Sequence, residues 1–177
     1  NAEVAKLLKD PDEKVQIPAL EALGVLGAKN TAPQVDELLR RTTSVKVRRM
    51  ALTTLAMFAD PAMRNVFDHY QRDKDADLRA ASAEGIGRLK NAADLPLVER
   101  LLSQESKTKP KLSLAFAAVM LGRHEYAPGS PLEILVKGLK SRFWVDTARP
   151  FLLELARDAR VRKALYPAMA SASKDEK

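Results

Sequence analysis

Two histidines, His69 and His124, are the side chains of this sequence best suited to bind a metal, because the chain contains no cysteine. A metal site would need both imidazoles together with carboxylates. The two histidines stand 55 positions apart; His124 is followed by Glu125, whereas His69 is followed by Tyr70. We therefore interpret one as a helix histidine and the other as a loop histidine, and we expect no metal site.

Nucleophilic and phosphate-transfer chemistry is not indicated either. The sequence has no cysteine and no Gly-x-Ser-x-Gly motif that would expose a serine nucleophile. Its glycines form no phosphate-binding loop, since Gly24, Gly27, Gly85 and Gly87 fall at helix-packing or helix-ending positions. The sequence therefore predicts no catalytic residue, no cofactor and no enzymatic function.

Repeated helices must position whatever site the chain has. The segments Val15–Leu23, Val47–Leu55 and Leu78–Ile86 align without gaps at offsets of 32 and 31 residues. In each, a branched aliphatic residue is followed by a small residue four positions later and another three after that, which places them on one helix face. Two looser copies follow in Leu112–Gly122 and Trp144–Leu155. This period is typical of stacked helical hairpins.

A second, shorter helix is expected in each hairpin. Apolar residues spaced three or four apart predict these helices near 33–41, 61–72, 94–104 and 131–140. Asp60–Pro61 and Ser130–Pro131 supply start signals, a capping side chain followed by proline. No sustained alternation indicates a strand. The predicted fold class is all-α: an α-solenoid, or superhelix, of about five stacked hairpins.

The charge of the chain is a net +7, of which residues 1–90 carry +2 and residues 91–177 carry +5. Basic residues expected on the exposed face of the second helices would form a discontinuous stripe, suited to an acidic peptide or a phosphate backbone. These candidate binding residues are Arg40, Arg41, Arg64, His69, Arg72, Arg100, Lys137 and Lys140. Acidic residues lie among them and weaken the case for nucleic acid: Asp36, Glu37, Asp68 and Glu99. A further basic segment, Lys107–Lys111, is expected to form a turn between helices.

The pattern resembles HEAT repeats, in the variant named after phycobilisome lyases. That variant has an Asp-Pro-Asp turn before Val-Arg-x-x-Ala-x-x-Ala-Leu-Gly-x-Leu-Gly. Here Asp10–Asp12 precedes a matching segment that ends at Gly27, with Gln16 in place of the arginine, which Arg48 and Arg79 keep. The resemblance implies that these two arginines pair with carboxylates of the turns between repeats. It also implies that the second helices line a curved inner surface.

Two enzyme families built from such repeats offer narrower comparisons. His124–Glu125 resembles a His-Glu pair of HEAT-type deoxyhypusine hydroxylases, which need several such pairs where this chain has one. Trp144, Asp146 and Arg149 resemble the aromatic, catalytic and basic residues of HEAT-like alkylpurine DNA glycosylases, which use several aromatics where this chain has a single tryptophan. Because Trp144 falls on a core position of the fifth repeat, we expect it to be buried and Asp146 to be exposed.

We therefore predict one repeat domain over residues 1–170, with repeats at 10–42, 43–74, 75–106, 107–140 and 141–170, a partial helix at 1–9 and a polar tail at 171–177. The predicted function is a non-catalytic scaffold that binds another protein on its curved surface. Nucleic-acid binding related to the glycosylases is the alternative, and a metal-dependent or lyase-type enzyme is least favoured. No transmembrane or leader segment is apparent, so we expect a soluble protein, either cytoplasmic or exported within a larger processed chain. Because the sequence begins at Asn1 without methionine, we expect a fragment of a longer protein.

Overall fold

A computed structural model describes the backbone of residues 1–172 and the side chains of residues 1–167. Within this part, helices joined by turns and short 3-10 segments make up the chain, and no strand occurs, which confirms the predicted all-α class. The helices are α1 (Ala2–Lys6), α2 (Glu13–Val25), α3 (Ala32–Arg41), α4 (Val45–Phe58), α5 (Arg64–Tyr70), α6 (Ala76–Arg88), α7 (Leu95–Gln104), α8 (Thr108–Met120), α9 (Pro131–Leu139), α10 (Val145–Leu155) and α11 (Ala159–Ala172).

Capping side chains define where several helices begin. Asp12, Ser44 and Asp75 precede α2, α4 and α6, and each accepts a hydrogen bond from a backbone N–H of the first turn. Such a bond satisfies one of the donors that a helix start leaves without an intrahelical partner. The predicted signals at Asp60 and Ser130 also cap, although Asp60 opens a 3-10 turn at 61–63 that leads into α5.

Residues 1–89 form one compact unit. Its central element is α4, which packs against α2 on one side and α6 on the other, while α3 packs on α4 and α5 packs on α6. Leu52, Leu55 and Phe58 of α4 are fully buried, as the 3–4 spacing of their apolar face predicts. The longer helices α2, α4 and α6 are the first helices of successive hairpins, and the shorter α3 and α5 are second helices. This alternation is the one that the sequence repeats predict.

The described residues from Lys90 onward form the second compact unit. Here α8 packs against α7, α9 and α10, and α9 packs against α10. The rings of Phe116 and Phe151 stack at 4.4 Å between centroids in the centre of this core. The division of the repeats into a single domain over residues 1–170 stays a prediction. Of the predicted tail, Ser171 and Ala172 belong to α11, and residues 173–177 lie outside the described part.

Two local predictions need correction. Lys107–Lys111 is not a turn, because Thr108–Lys111 form the first helical turn of α8 and Lys107 is the residue just before it. Pro110 is tolerated there because the N–H groups of a first turn have no intrahelical hydrogen bond to lose. Trp144 is only partly buried. It immediately precedes α10 and packs against the edge of the core. Asp146 is exposed, as expected.

None of the helices in residues 1–172 combines the length and the apolar composition that a membrane crossing requires.

A close approach between a second helix and a first helix is made at Gly85. A Cβ placed on Gly85 of α6 would lie 2.5 Å from the ring of Phe67, which is fully buried in α5. At Gly24 of α2 the corresponding contact is with the sulfur of Met57 at 2.9 Å, the far end of a flexible and partly exposed side chain. The two glycines therefore differ in how easily their neighbour can move.

We expect Gly85→Ala to destabilise the protein and Gly24→Ala to leave it equally or more stable. Alanine raises helix propensity by about 1 kcal/mol at either site. At Gly85 the overpacking against Phe67, about 1–3 kcal/mol, opposes that gain. Urea unfolding of both variants and the wild type measures the difference. Equal free energies of unfolding for the two variants would show that α5 and α6 do not pack this closely.

Candidate functional site

The predicted basic residues lie on or beside the second helices. Arg40 and Arg41 end α3, Arg64 and His69 belong to α5, Arg100 to α7 and Lys137 to α9. Arg72 and Lys140 lie just beyond the ends of α5 and α9, because these helices end one or two residues before the predicted positions. All of them except the partly exposed Arg64 are exposed.

Two of these residues, Arg40 and His69, meet at a groove between α3 and α5. This α3–α5 groove has a volume of about 280 Å³, and Leu39 and Val66 supply its apolar surface. The ring of His69 meets that of Tyr70 edge-on at 4.8 Å, and burial raises the pKa of Tyr70. The remaining lining residues are Asp36 and Asn65. The groove thus combines an apolar floor with hydrogen-bonding groups at its edge, a common arrangement in binding sites.

Neighbouring acids neutralise much of the predicted basic stripe. Arg40 pairs with Asp36 at 2.6 Å, Arg64 with Asp68 at 2.9 Å and Lys137 with Glu133 at 3.0 Å. Each pair is four residues apart on one helix, and exposed pairs of this kind contribute only about 0.3–0.5 kcal/mol. Their main effect is to leave a surface of mixed sign, which suits a protein better than a polyphosphate backbone.

Arg41 has a structural role. Its guanidinium donates a 2.6 Å hydrogen bond to the carbonyl oxygen of Leu8, in the 3-10 turn that follows α1. Buried carbonyls need such partners. Arg41 therefore ties the end of α3 to the preceding turn and is the weakest candidate of the predicted set for contact with a partner.

Four further polar side chains also have a structural role, and each is the fourth residue of its helix, in α2, α4, α6 and α11. There Gln16, Arg48, Arg79 and Arg162 each donate to the carbonyl oxygen six residues earlier, at 2.6, 3.0, 2.8 and 2.8 Å. The acceptors belong to the turns before each helix, where carbonyls lack intrahelical partners. The resemblance-based expectation for Arg48 therefore needs correction: it binds the backbone of Thr42 and not a carboxylate.

Carboxylates are bound across repeats by other residues. Arg49 of α4 contacts Asp75 at 2.8 Å and Asp77 at 3.1 Å, at the start of α6. One repeat earlier, Glu13 of α2 accepts from the hydroxyl of Ser44 at 2.6 Å and the ammonium of Lys46 at 3.1 Å. These two contacts hold the pKa of Glu13 below its usual value. The first helices α2, α4 and α6 are thus linked in series by polar contacts near their N-termini.

The two histidines lie in different pockets. His69 lines the α3–α5 groove, whereas His124 lines a cavity of about 290 Å³ in residues 90–177, together with Lys90, Arg157 and Arg160. Arg160 also binds Asp158 at 2.7 Å and holds the pKa of that carboxyl below its usual value. In the part of the chain that the structure describes, no group of three or more histidine, aspartate and glutamate side chains is placed to hold a metal ion.

A further groove, in residues 99–134, was missed by the sequence predictions. It has a volume of about 640 Å³ and lies between the end of α7, the start of α8 and the segment 121–130 that joins α8 to α9. We call it the α8–α9 loop groove. Its signal in the sequence is the length of this connection, ten residues where the corresponding connections of the earlier repeats have five or six. Long connections with their own structure often carry function.

Comparison with known families agrees with the architecture. A family model for HEAT repeats matches residues 1–69 and 32–118, which together span 118 of the 177 residues. The chain belongs to the HEAT-repeat family, and the predicted class of all-α solenoid is confirmed. The match does not distinguish the phycobilisome-lyase variant. No curated protein matches the sequence.

We expect Arg49→Met to reduce the acid sensitivity of the fold. Burial acts to raise the pKa of Asp75, but hydrogen bonds from Arg49 and from the N–H groups of Leu78 and Asp77 outweigh it and hold that pKa below its usual value. A carboxyl with a lowered folded-state pKa stabilises the fold above its unfolded pKa of about 3.9, and this stabilisation is lost as the pH falls through the folded-state pKa.

The measurement is urea unfolding at pH values from about 6 to about 2, a range that spans the unfolded-state pKa of the Asp75 carboxyl. Arg49→Met should lose about 1 kcal/mol at neutral pH, a value discounted because Arg49 is 43% exposed. Its free energy of unfolding should then fall less steeply in acid than that of the wild type. Arg100→Met, at an exposed position of α7, is the control. Parallel pH profiles for Arg49→Met and wild type would contradict the assignment.

Proposed function

We propose that this chain is a non-catalytic protein-interaction module whose second helices bind a partner protein. The observation that carries the proposal is the α3–α5 groove, where Arg40 and His69 of successive repeats flank an apolar floor. Membership of the HEAT-repeat family supports it, because arrays of such repeats present extended surfaces to partners. The fold alone does not define a function, so the argument depends on the groove.

The physical basis of binding is burial of one apolar side chain at a time. The floor of the α3–α5 groove, formed by Leu39 and Val66, can accept an aliphatic or aromatic side chain of the partner. The polar edge, with Asn65 and His69, can hydrogen-bond to the partner backbone beside that side chain. Repetition of modest contacts along an array, with a few anchors, is how repeat proteins achieve affinity.

A photo-crosslinking amino acid placed at Asn65 should capture a discrete partner in cells that express the full chain. Asn65 is exposed and lines the groove, so its replacement leaves the core intact. The matched control carries the same amino acid at Glu21, an exposed position of α2. Crosslinked products are identified by mass spectrometry. Identical products at the two positions, or none at Asn65, would count against the second helices as the binding surface.

A second candidate function, nucleic-acid binding, is favoured by one observation on residues 142–157. The guanidinium of Arg142 lies 4.7 Å from the ring centre of Phe143, and Phe143 is 73% exposed. Arg149 and Arg157 are exposed nearby in sequence. Single-stranded nucleic acids bind to such combinations of an open aromatic ring and arginines. The mixed charge of the second helices argues against this function.

We expect labelled single-stranded DNA not to bind at about 50 mM salt, the condition that most favours phosphate contacts. Fluorescence anisotropy measures binding, with titrations at about 50 and about 200 mM salt. Phe143→Ala provides the control for stacking, since this exposed ring contributes little to the core. Affinity that falls steeply with salt and is weakened by Phe143→Ala would favour the nucleic-acid function over the protein-interaction function.

A further inference from the structure

The α8–α9 loop groove differs from the α3–α5 groove in size and in the pairing of its charged residues. Its volume, about 640 Å³, lies within the range of about 300–1,000 Å³ that binding pockets occupy. Leu102 of α7, Pro128 of the connecting segment and Ile134 of α9 give it apolar walls. The groove is open to solvent.

The groove contains a residue at which the repeat rule is broken. Lys111 is the fourth residue of α8, the position at which Gln16, Arg48, Arg79 and Arg162 donate to carbonyls of the preceding turn. The ammonium of Lys111 makes no such bond, and among the described residues it has no hydrogen-bond or ion-pair partner. It lines the groove instead and is only partly exposed.

The other charged residues of the groove pair with one another. Arg123 contacts Glu99 of α7 and also Glu125, at 3.2 Å. These three residues therefore add a net charge of −1, but their oxygens and nitrogens face one another. Lys111 is the lining cation without a carboxylate partner in the described part of the chain, and Lys107 is exposed one helical turn earlier. An acidic group in the groove would complete the charge pairing at Lys111.

The wall formed by the connecting segment is held in place. The hydroxyl of Ser130 accepts from the N–H of Ala127 at 3.1 Å and from that of Glu133 at 3.3 Å. The carboxylate of Glu133 in turn accepts from the N–H of Gly129 at 2.7 Å, which keeps the pKa of Glu133 below its usual value. Gly129 has φ of +78°, a conformation that favours glycine. A wall fixed in advance reduces the entropy lost on binding.

We infer that the α8–α9 loop groove binds an acidic peptide segment of a partner protein. An aliphatic side chain of that segment packs against Leu102 and Ile134, and a carboxylate close to it in sequence pairs with Lys111. This inference rests on the proposed protein-interaction function and adds to it a second site with a defined ligand chemistry. Charge complementarity at Lys111 selects the acidic segment over a neutral or basic one.

The probe is a phage-displayed library of random peptides, selected on the full chain with its native sequence. Enriched peptides should combine aspartate or glutamate with leucine, isoleucine or valine. Lys111→Glu should weaken an enriched peptide about tenfold or more, the effect of removing one charge-assisted hydrogen bond. A carboxylate in the first turn of α8 interacts favourably with the helix dipole, so this variant should keep its thermal stability.

Two further variants make the result decisive. Lys111→Gln removes the charge without reversing it and should weaken binding less than Lys111→Glu. Lys163→Glu reverses an exposed lysine in the second turn of α11 that does not line the groove, and it should leave binding unchanged. Enriched peptides without acidic residues, or peptides that bind all three variants as the wild type does, would overturn the inference.

The selection also separates this inference from the proposed function. Peptides that lose affinity with Asn65→Trp, which fills the α3–α5 groove, but not with Lys111→Glu would sink the inference and leave the interaction function standing. A library that yields no enriched peptide would also remove the inference, while crosslinking at Asn65 would still decide the proposed function.

Discussion

The hydrogen bond from a first-helix side chain to the carbonyls of the turn before it is the contact on which the arrangement of repeats depends. Where one helix ends and the next begins, several carbonyls have no partner within either helix. Gln16, Arg48 and Arg79 supply that partner at the fourth position of the first helices α2, α4 and α6. Arg162 makes the same bond in α11, a second helix. The bond ties the first turn of each of these helices to the turn before it. It also removes these side chains from the set that could contact a partner, which is why net charge overstates the basic binding surface.

The helices themselves could be predicted closely from spacing. The second helices expected at 33–41 and 131–140 occupy 32–41 and 131–139, because an apolar face every three or four residues requires a helix and a neighbour to bury it against. The interpretation of Lys107–Lys111 as a turn was wrong, since three lysines and a proline within five residues suggest an irregular segment. A proline in the first helical turn loses no hydrogen bond, so α8 includes it.

The binding residues could be predicted only in part. Placing Arg40 and His69 on second helices of successive repeats followed from the period, and the structure brings both to one groove. The hydrogen bond of Arg41 could not be predicted, because its acceptor, the carbonyl oxygen of Leu8, lies 33 residues earlier in the chain. Lys111 stands 32 positions after Arg79, as Arg48 does after Gln16, so aligning the repeats column by column shows that lysine replaces the usual donor. Its position in a groove depends on the fold of residues 121–130, which no periodic pattern describes.

The carbonyl acceptors of the turns have a consequence for how such a chain can evolve. A guanidinium that recognises backbone oxygen makes no demand on which side chains the preceding repeat carries. A hairpin that keeps such a donor can therefore be duplicated, deleted or exchanged between genes, and its junction will still have a hydrogen-bond donor. Contacts such as that of Gly85 with Phe67 impose the opposite condition, because both residues must be inherited together. The chain thus combines junctions that do not depend on the side chains of the preceding repeat with a few contacts that need two specific residues. Selection can therefore lengthen the array without changing the junctions.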